Sequence, residues 1–202
     1  MNRSFVLAVM AIALLGVCRG SMADPMYFEA FLDGPSEAPP NASPGTGYSL
    51  VILDLDTNFL RIQTQFQDLI GTTTVAHIHA PTADPFEGAI GVAVSPGTLP
   101  GFPAGVTSGS YDQTFDLGSA SIYTASFLNT HGGGTAAGAA AALAQFLAEG
   151  RAYFNIHTTF APGGEIRGFY SVVPEPSGLV LTALGASGVA VGLARSRRKA
   201  GA

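Results

Sequence analysis

Eight short runs of apolar residues, most of them alternating with polar ones and parted by Gly- and Pro-rich stretches, direct this chain toward a packed antiparallel sheet. The runs span residues 26–32, 48–55, 58–66, 75–80, 91–94, 111–117, 151–157 and 165–171. Successive side chains on a strand point to opposite faces, so each run presents one face to a core. Asp56-Thr57 reads as a tight hairpin between the second and third runs. Pro162-Gly163-Gly164 would fold the last two runs into another hairpin. Strands of this length and spacing predict a sandwich or barrel. One segment breaks the pattern. Residues 134–149 are rich in Ala, favour helix, and are followed by Gly150 as a stop. Leu143, Phe146 and Leu147 fall at helix spacing and would pack on the sheet. Residues 35–47 and 81–110 read as loops, the second around the short 91–94 run.

Both ends of the chain read as targeting segments rather than fold. Residues 1–23 carry Arg3, an apolar stretch over 5–17, and Ser21-Met22-Ala23 as a small-x-small cleavage pattern, with cleavage after Ala23. That is a signal peptide, its apolar part short for a membrane span. Cys18 follows Val17, where a lipidation motif wants a small residue, so lipidation is disfavoured. At the other end stand Val173-Pro174-Glu175-Pro176, an apolar run over 178–194, and a basic tail over 195–202 with Arg195, Arg197, Arg198 and Lys199. As a helix the apolar run is about 25 Å long, at the short end for a span. Four glycines (Gly178, Gly185, Gly188, Gly192) weaken it further. Positive charge after it predicts a cytoplasmic tail and an exported domain. Motif, apolar run and basic cluster over 173–202 resemble the PEP-CTERM sorting signal of envelope proteins. The resemblance implies a sorting protease of the exosortase type and a transient C-terminal transmembrane helix. The destination would be the cell envelope or the extracellular space.

Without those ends the charge balance changes sharply. Residues 24–172 hold three basic residues (Arg61, Arg151, Arg167) against thirteen Asp and Glu, a formal balance of −10. An acidic surface disfavours nucleic acid and anionic lipid as partners of the domain. The single Cys18 leaves with the signal peptide, so a packed core, not disulfides, must stabilise the domain. About 150 residues suffice for one such core.

The residues with coordination chemistry cluster in two strands. On His77-Ile78-His79 both imidazoles point to one side, opposite Ala76, Ile78 and Ala80. On residues 151–157, Arg151, Tyr153, Asn155 and His157 oppose Ala152, Phe154 and Ile156. Glu165 and Arg167 likewise oppose Ile166. If the first strand lies beside the last hairpin, His77, His79, His157, Glu165 and Arg167 share a face, with Asn155 in support. Imidazoles suit zinc or copper, with a carboxylate or water completing the set. The alternative is a hydrogen-bonded cluster that pins the hairpin. His131 falls in a loop and is expected to be exposed. Asp54-Leu55-Asp56-Thr57-Asn58 opens like a calcium loop, but Phe59 and Gln65 stand where Gly and Glu are required. No phosphate-loop lysine follows Gly132-Gly133-Gly134, and no nucleophile elbow is present.

Phe31-Leu32-Asp33-Gly34, Glu37-Ala38-Pro39-Pro40, Gly45-Thr46-Gly47, Leu53-Asp54 and Ala76-His77-Ile78-His79 form a recurring order. Phe102-Pro103, Gly109 with Tyr111, Ala152 to Thr158, and Pro162-Gly163-Gly164-Glu165-Ile166-Arg167-Gly168 continue it. Over residues 26–170 the chain resembles the CHRD domain, the module named for its repeats in chordin. That resemblance implies an extracellular module without established enzymatic activity, whose partners would be extracellular protein or polysaccharide. His-x-His on one strand and His157 on a late strand are also similar to the copper-ligand layout of Cu/Zn superoxide dismutases. The likeness implies a Greek-key β-sandwich and a single-metal site at His77, His79 and His157; bridging and zinc ligands are missing. The expected architecture is therefore all-β: an antiparallel, Greek-key-like, superoxide-dismutase-like β-sandwich with one short inserted α-helix. A signal helix precedes it and a transmembrane helix follows. The domain spans 24–172, and its expected role is a non-enzymatic binding or structural module, with metal binding as the alternative.

Overall fold

The computed structural model describes residues 24–174. The expected signal segment through Ala23, the expected sorting residues Glu175 and Pro176, the apolar run 178–194 expected as a helix, and the basic tail lie outside the described residues. Nine strands form: β1 Met26–Asp33, β2 Thr46–Asp54, β3 Phe59–Gln67, β4 Thr73–His79, β5 Val92–Val94, β6 Gly109–Asp116, β7 Tyr153–Thr158, β8 Ile166–Phe169 and β9 Ser171–Val172. Each expected run holds a strand, and the last run holds two, parted by Tyr170. That ring is fully buried, and its hydroxyl lies 2.7 Å from the Ser49 hydroxyl.

The strands join in one antiparallel sheet of order β5-β4-β7-β8-β1-β2-β3-β6, with β9 added to β1. A Greek-key-like β-sandwich was expected; the hydrogen bonding instead runs through one curled sheet. The joint is narrow, since β8 meets β1 at the single pair Asp33–Arg167 while β9 takes over at Phe28 and Glu29. Around that joint the sheet curls into a half-barrel. Leu60 and Ile62 of one arm and Ile78, Phe154 and Ile156 of the other thus enter one core. The curled sheet thereby encloses a core in the manner of a sandwich.

The β2–β3 hairpin differs from the expected two-residue turn. Asp54 pairs with Phe59, leaving residues 55–58 as the turn. The Asp54 carboxylate accepts the amides of Asp56 (2.8 Å) and Thr57 (3.1 Å), and Asn58 adopts φ +57. An Asx turn and a left-handed Asn account for that length.

Two helices cross from β6 to β7: α1 Ala125–Thr130 and α2 Ala136–Ala148. The Thr135 hydroxyl caps α2 by accepting the Gly138 amide at 3.1 Å, and Gly150 at φ +68 ends it. Its Leu143 and Leu147 are fully buried, each stabilising by roughly 1.5–3 kcal/mol relative to exposure. Helix α1 was not expected, because six residues cannot display a helical period. Its signal is Thr124, whose hydroxyl accepts the Phe127 amide while Phe127 drops into the core. Among the described residues no helix is long and apolar enough to cross a membrane.

Candidate metal centre

The register places the polar residues. Across β4 and β7, Val75 faces His157, His77 faces Asn155 and His79 faces Tyr153. Across β7 and β8, Asn155 faces Arg167. Ala76, Ile78, Phe154, Ile156 and Ile166 point into the core. His77, His79, Tyr153, Asn155, His157 and Arg167 therefore share the opposite face, as the alternation predicted. That face is not open to water. All six residues of β7 are buried, because residues 34–45 and 80–91 fold over it. Arg167 fastens both segments, donating from Nε to the Ser36 carbonyl and from Nη1 to the Gly88 carbonyl at 2.9 Å. Its guanidinium stacks over Tyr153, 4.9 Å from the ring centre.

The three imidazoles form one group, exposed by only 6, 7 and 9 % for His77, His79 and His157. Their ligand atoms all lie within 4.8 Å of one another. His77 Nδ1 stands 3.2 Å from His79 Nε2. His79 Nδ1 lies 2.7 Å from the Ile90 carbonyl, and His157 Nδ1 lies 2.9 Å from the Pro162 carbonyl. A carbonyl only accepts, so both Nδ1 atoms carry the proton. In the neutral rings His79 Nε2 and His157 Nε2 are then bare lone pairs. His79 Nε2 takes the His77 Nδ1 proton. His157 Nε2 is buried without a hydrogen-bond partner. The His79 ring also stacks flat on Tyr153, 4.6 Å between centres.

Burial disfavours the charged form of all three rings. It pushes His77 down to about 3, helped by His79 and His157, and His79 down to about 4. His157 is lowered for the same reason. The cluster is therefore neutral at pH 7, the state that binds metal.

Beside the imidazoles lies a second polar group. Glu37 is buried, with Oε2 3.4 Å from the Asn155 amide nitrogen and 3.8 Å from Arg167 Nε. Glu37 Oε1 and Asn155 Oδ1 have no hydrogen-bond partner. Burial pushes the Glu37 carboxyl up to about 7 against the opposing pull of Arg167 and Asn155. Glu37 of the Glu37-Ala38-Pro39-Pro40 motif thus joins the site, a place that no local pattern in the sequence indicates. Its only signal was an acidic residue embedded among small and proline residues. Tyr153, whose hydroxyl lies 3.2 Å from the Ile90 carbonyl, was likewise not singled out as a site residue.

Glu165 does not join this face, contrary to the sequence expectation. Its carboxylate turns around the sheet end and accepts from Ser43 Oγ (2.6 Å), Thr158 Oγ1 (2.5 Å) and the amides of Ile70 (2.6 Å) and Gly71 (3.0 Å). Burial opposes its charge, but those four donors outweigh burial and hold its pKa below the usual range. A carboxylate so occupied pins loops and is not free to bind a metal. Asn155 and Arg167 do lie where expected. His131 is exposed, packs on Phe127 and Phe146, and is not one of the three clustered imidazoles.

Three neutral imidazoles fit a late divalent transition metal. Two nitrogens bound to one tetrahedral ion at about 2.0–2.1 Å stand about 3.3 Å apart. The His77–His79 separation of 3.2 Å already has that value. The carbonyl contacts of His79 and His157 orient the rings as outer-shell partners do in metal sites.

The sequence model of the CHRD domain matches residues 28–170. This chain belongs to the CHRD domain family. The match covers β2 to β8 and β1 from Phe28, and both arms of the curled sheet are therefore part of the CHRD domain. Comparison with curated proteins and with solved structures gives no match.

Proposed function

We propose that this CHRD domain is an exported, non-enzymatic module that binds one zinc or copper ion through His77, His79 and His157. The observation that carries this reading is the buried, unpartnered Nε2 of His157 beside a His77–His79 pair set at 3.2 Å. A cluster evolved only to pin a hairpin would satisfy that nitrogen; an ion satisfies all three rings at once. The ligand layout resembles the copper site of Cu/Zn superoxide dismutases, with Glu165 occupied elsewhere and water as the fourth ligand. Asn155, Arg167 and Glu37 hold the covering segments over the site.

Export and sorting complete the reading. The signal segment ending at Ala23 and the Val173-Pro174-Glu175-Pro176 motif would deliver the domain to the envelope, with an exosortase-type protease as the sorting partner. The domain offers both junctions at one place, since the Val173 amide donates to the Tyr27 carbonyl at 2.9 Å. In its mature setting the partners are extracellular protein or polysaccharide. Cobalt(II) titration of the full chain in non-ionic detergent tests the metal reading. Intense visible bands of a tetrahedral site, lost in His157→Gln, support it; pale octahedral spectra contradict it.

A further inference from the structure

The outer face of β1, β2, β3 and β6 lies on the arm away from the imidazoles and has a different chemistry. Its hydrogen-bonded rows run Phe31–Tyr48–Gln65–Ser110 and Glu29–Leu50–Gln63–Asp112. Phe31 is 71 % exposed, and its ring lies 5.4 Å from that of Tyr48. Beside this aromatic pair, two adjoining shallow depressions of about 330 and 340 Å³ share Tyr48, Gln65 and Ser110. Their linings mix the side-chain amides and hydroxyls of Gln63, Gln65, Gln67 and Ser110 with Leu50 and Phe66. The one cation of these rows' surroundings, Arg61, is forked onto Asp112 at 2.8 and 2.6 Å, with Gln63 donating to the same carboxylate at 3.0 Å. With Arg61 and Asp112 paired, Glu29, which accepts from the Tyr48 hydroxyl at 3.2 Å, leaves the rim one net negative charge.

We propose that this face binds a neutral polysaccharide chain. The C–H faces of sugar rings match exposed aromatic rings, and their hydroxyls match the paired donors and acceptors of Gln63, Gln65 and Ser110. The Phe31–Tyr48 pair forms the stacking platform, and the amide row reads the hydroxyls. The acidic rim and the neutralised Arg61 exclude polyanionic chains. A four-strand face with two adjoining depressions presents an extended chain with several successive contacts, each of them weak. The inference is independent of the metal site and stands if that site binds nothing.

The test is calorimetric titration of the full chain in non-ionic detergent with neutral cello-, manno- and laminarihexaose, and with hexagalacturonate. The expected result is binding of at least one neutral hexasaccharide and none of hexagalacturonate. Tyr48→Ala should weaken binding roughly tenfold, the scale of one lost aromatic contact. His77→Ala should leave it unchanged. The proposal is overturned if no neutral hexasaccharide binds the parent, or if Tyr48→Ala and Gln65→Ala bind as the parent does. It is also overturned if Tyr48→Ala acts only by dissolving a dimer, which would assign the face to a second copy. Both substitutions fall on a solvent-facing row, so circular dichroism should match the parent.

Discussion

His77 Nδ1 donates to His79 Nε2 across 3.2 Å, inside a layer that two loop segments close to solvent. The bond holds two ring nitrogens of one strand, a donor and an acceptor, at the spacing of a tetrahedral ion's ligands. It also fixes a tautomer that metal binding must change, since His77 Nδ1 has to release its proton. Metal uptake is therefore expected to release a proton from this ring or move it to Nε2.

The metal-free chain should lose stability on acidification through these rings. His77 and His79 titrate near 3 and 4 when folded, against 6.5 as their ordinary value. Between those limits the unfolded chain holds more protons, so this contribution is full above pH 6.5 and is lost as pH falls. Glu37 acts oppositely. Its folded value of about 7 stands above the ordinary 4.5, so its contribution is full below pH 4.5 and is lost as pH rises through 7. Glu37→Gln should thus steepen the gain in melting temperature between pH 4.5 and 7. Thermal melts of the two chains across that window check it; parallel curves would contradict the assignment.

Glu165→Ala should be among the most damaging single changes. It strips the acceptor from two hydroxyls and two amides around a fully buried carboxylate. A loss of about 3 kcal/mol or more is expected from stranded buried donors. Urea unfolding measures it, and a loss under about 1 kcal/mol would show that water replaces the carboxylate.

Gly164 sits at φ +131 against the Glu37–Asn155 pair. A Cβ there would meet Asn155 Oδ1 and Glu37 Oε1 at 2.6 Å. Gly164→Ala should cost roughly 1–3 kcal/mol through backbone strain and displacement of Glu37. Unfolding free energy is the readout. An unchanged value would mean that the Glu37 segment swings away freely.

His131→Ala should change neither metal content nor stability beyond about 0.5 kcal/mol, because the ring is exposed and is not among the three whose ligand atoms lie together. Any loss of bound metal in that variant would contradict the three-ligand set.

The strand pattern was legible because alternation is a local property: Ala76, Ile78, Phe154 and Ile156 had to share one face. From the same parity the face of His77, His79 and His157 followed once β4 lay beside β7. Four features were not legible. Continuity of the sheet depends on the Asp33–Arg167 pair and on β9 meeting Phe28 and Glu29, contacts between residues far apart in sequence. The departure of Glu165 from its face depends on Ser43 and the 70–71 amides, which no local rule brings near. The burial of the outer face depends on Arg167 binding the Ser36 and Gly88 carbonyls, and with it came Glu37. Helix α1 was invisible for a simpler reason, its length.

The most direct measurement is the zinc and copper content of the full chain after dialysis. The chain is purified in non-ionic detergent without a polyhistidine tag and compared with His77→Ala/His157→Ala and His131→Ala. The account predicts near one ion per chain in the parent and in His131→Ala, and near none in a double variant that keeps its circular dichroism spectrum. A parent that retains no ion, or a folded double variant that keeps its ion, would contradict the metal centre.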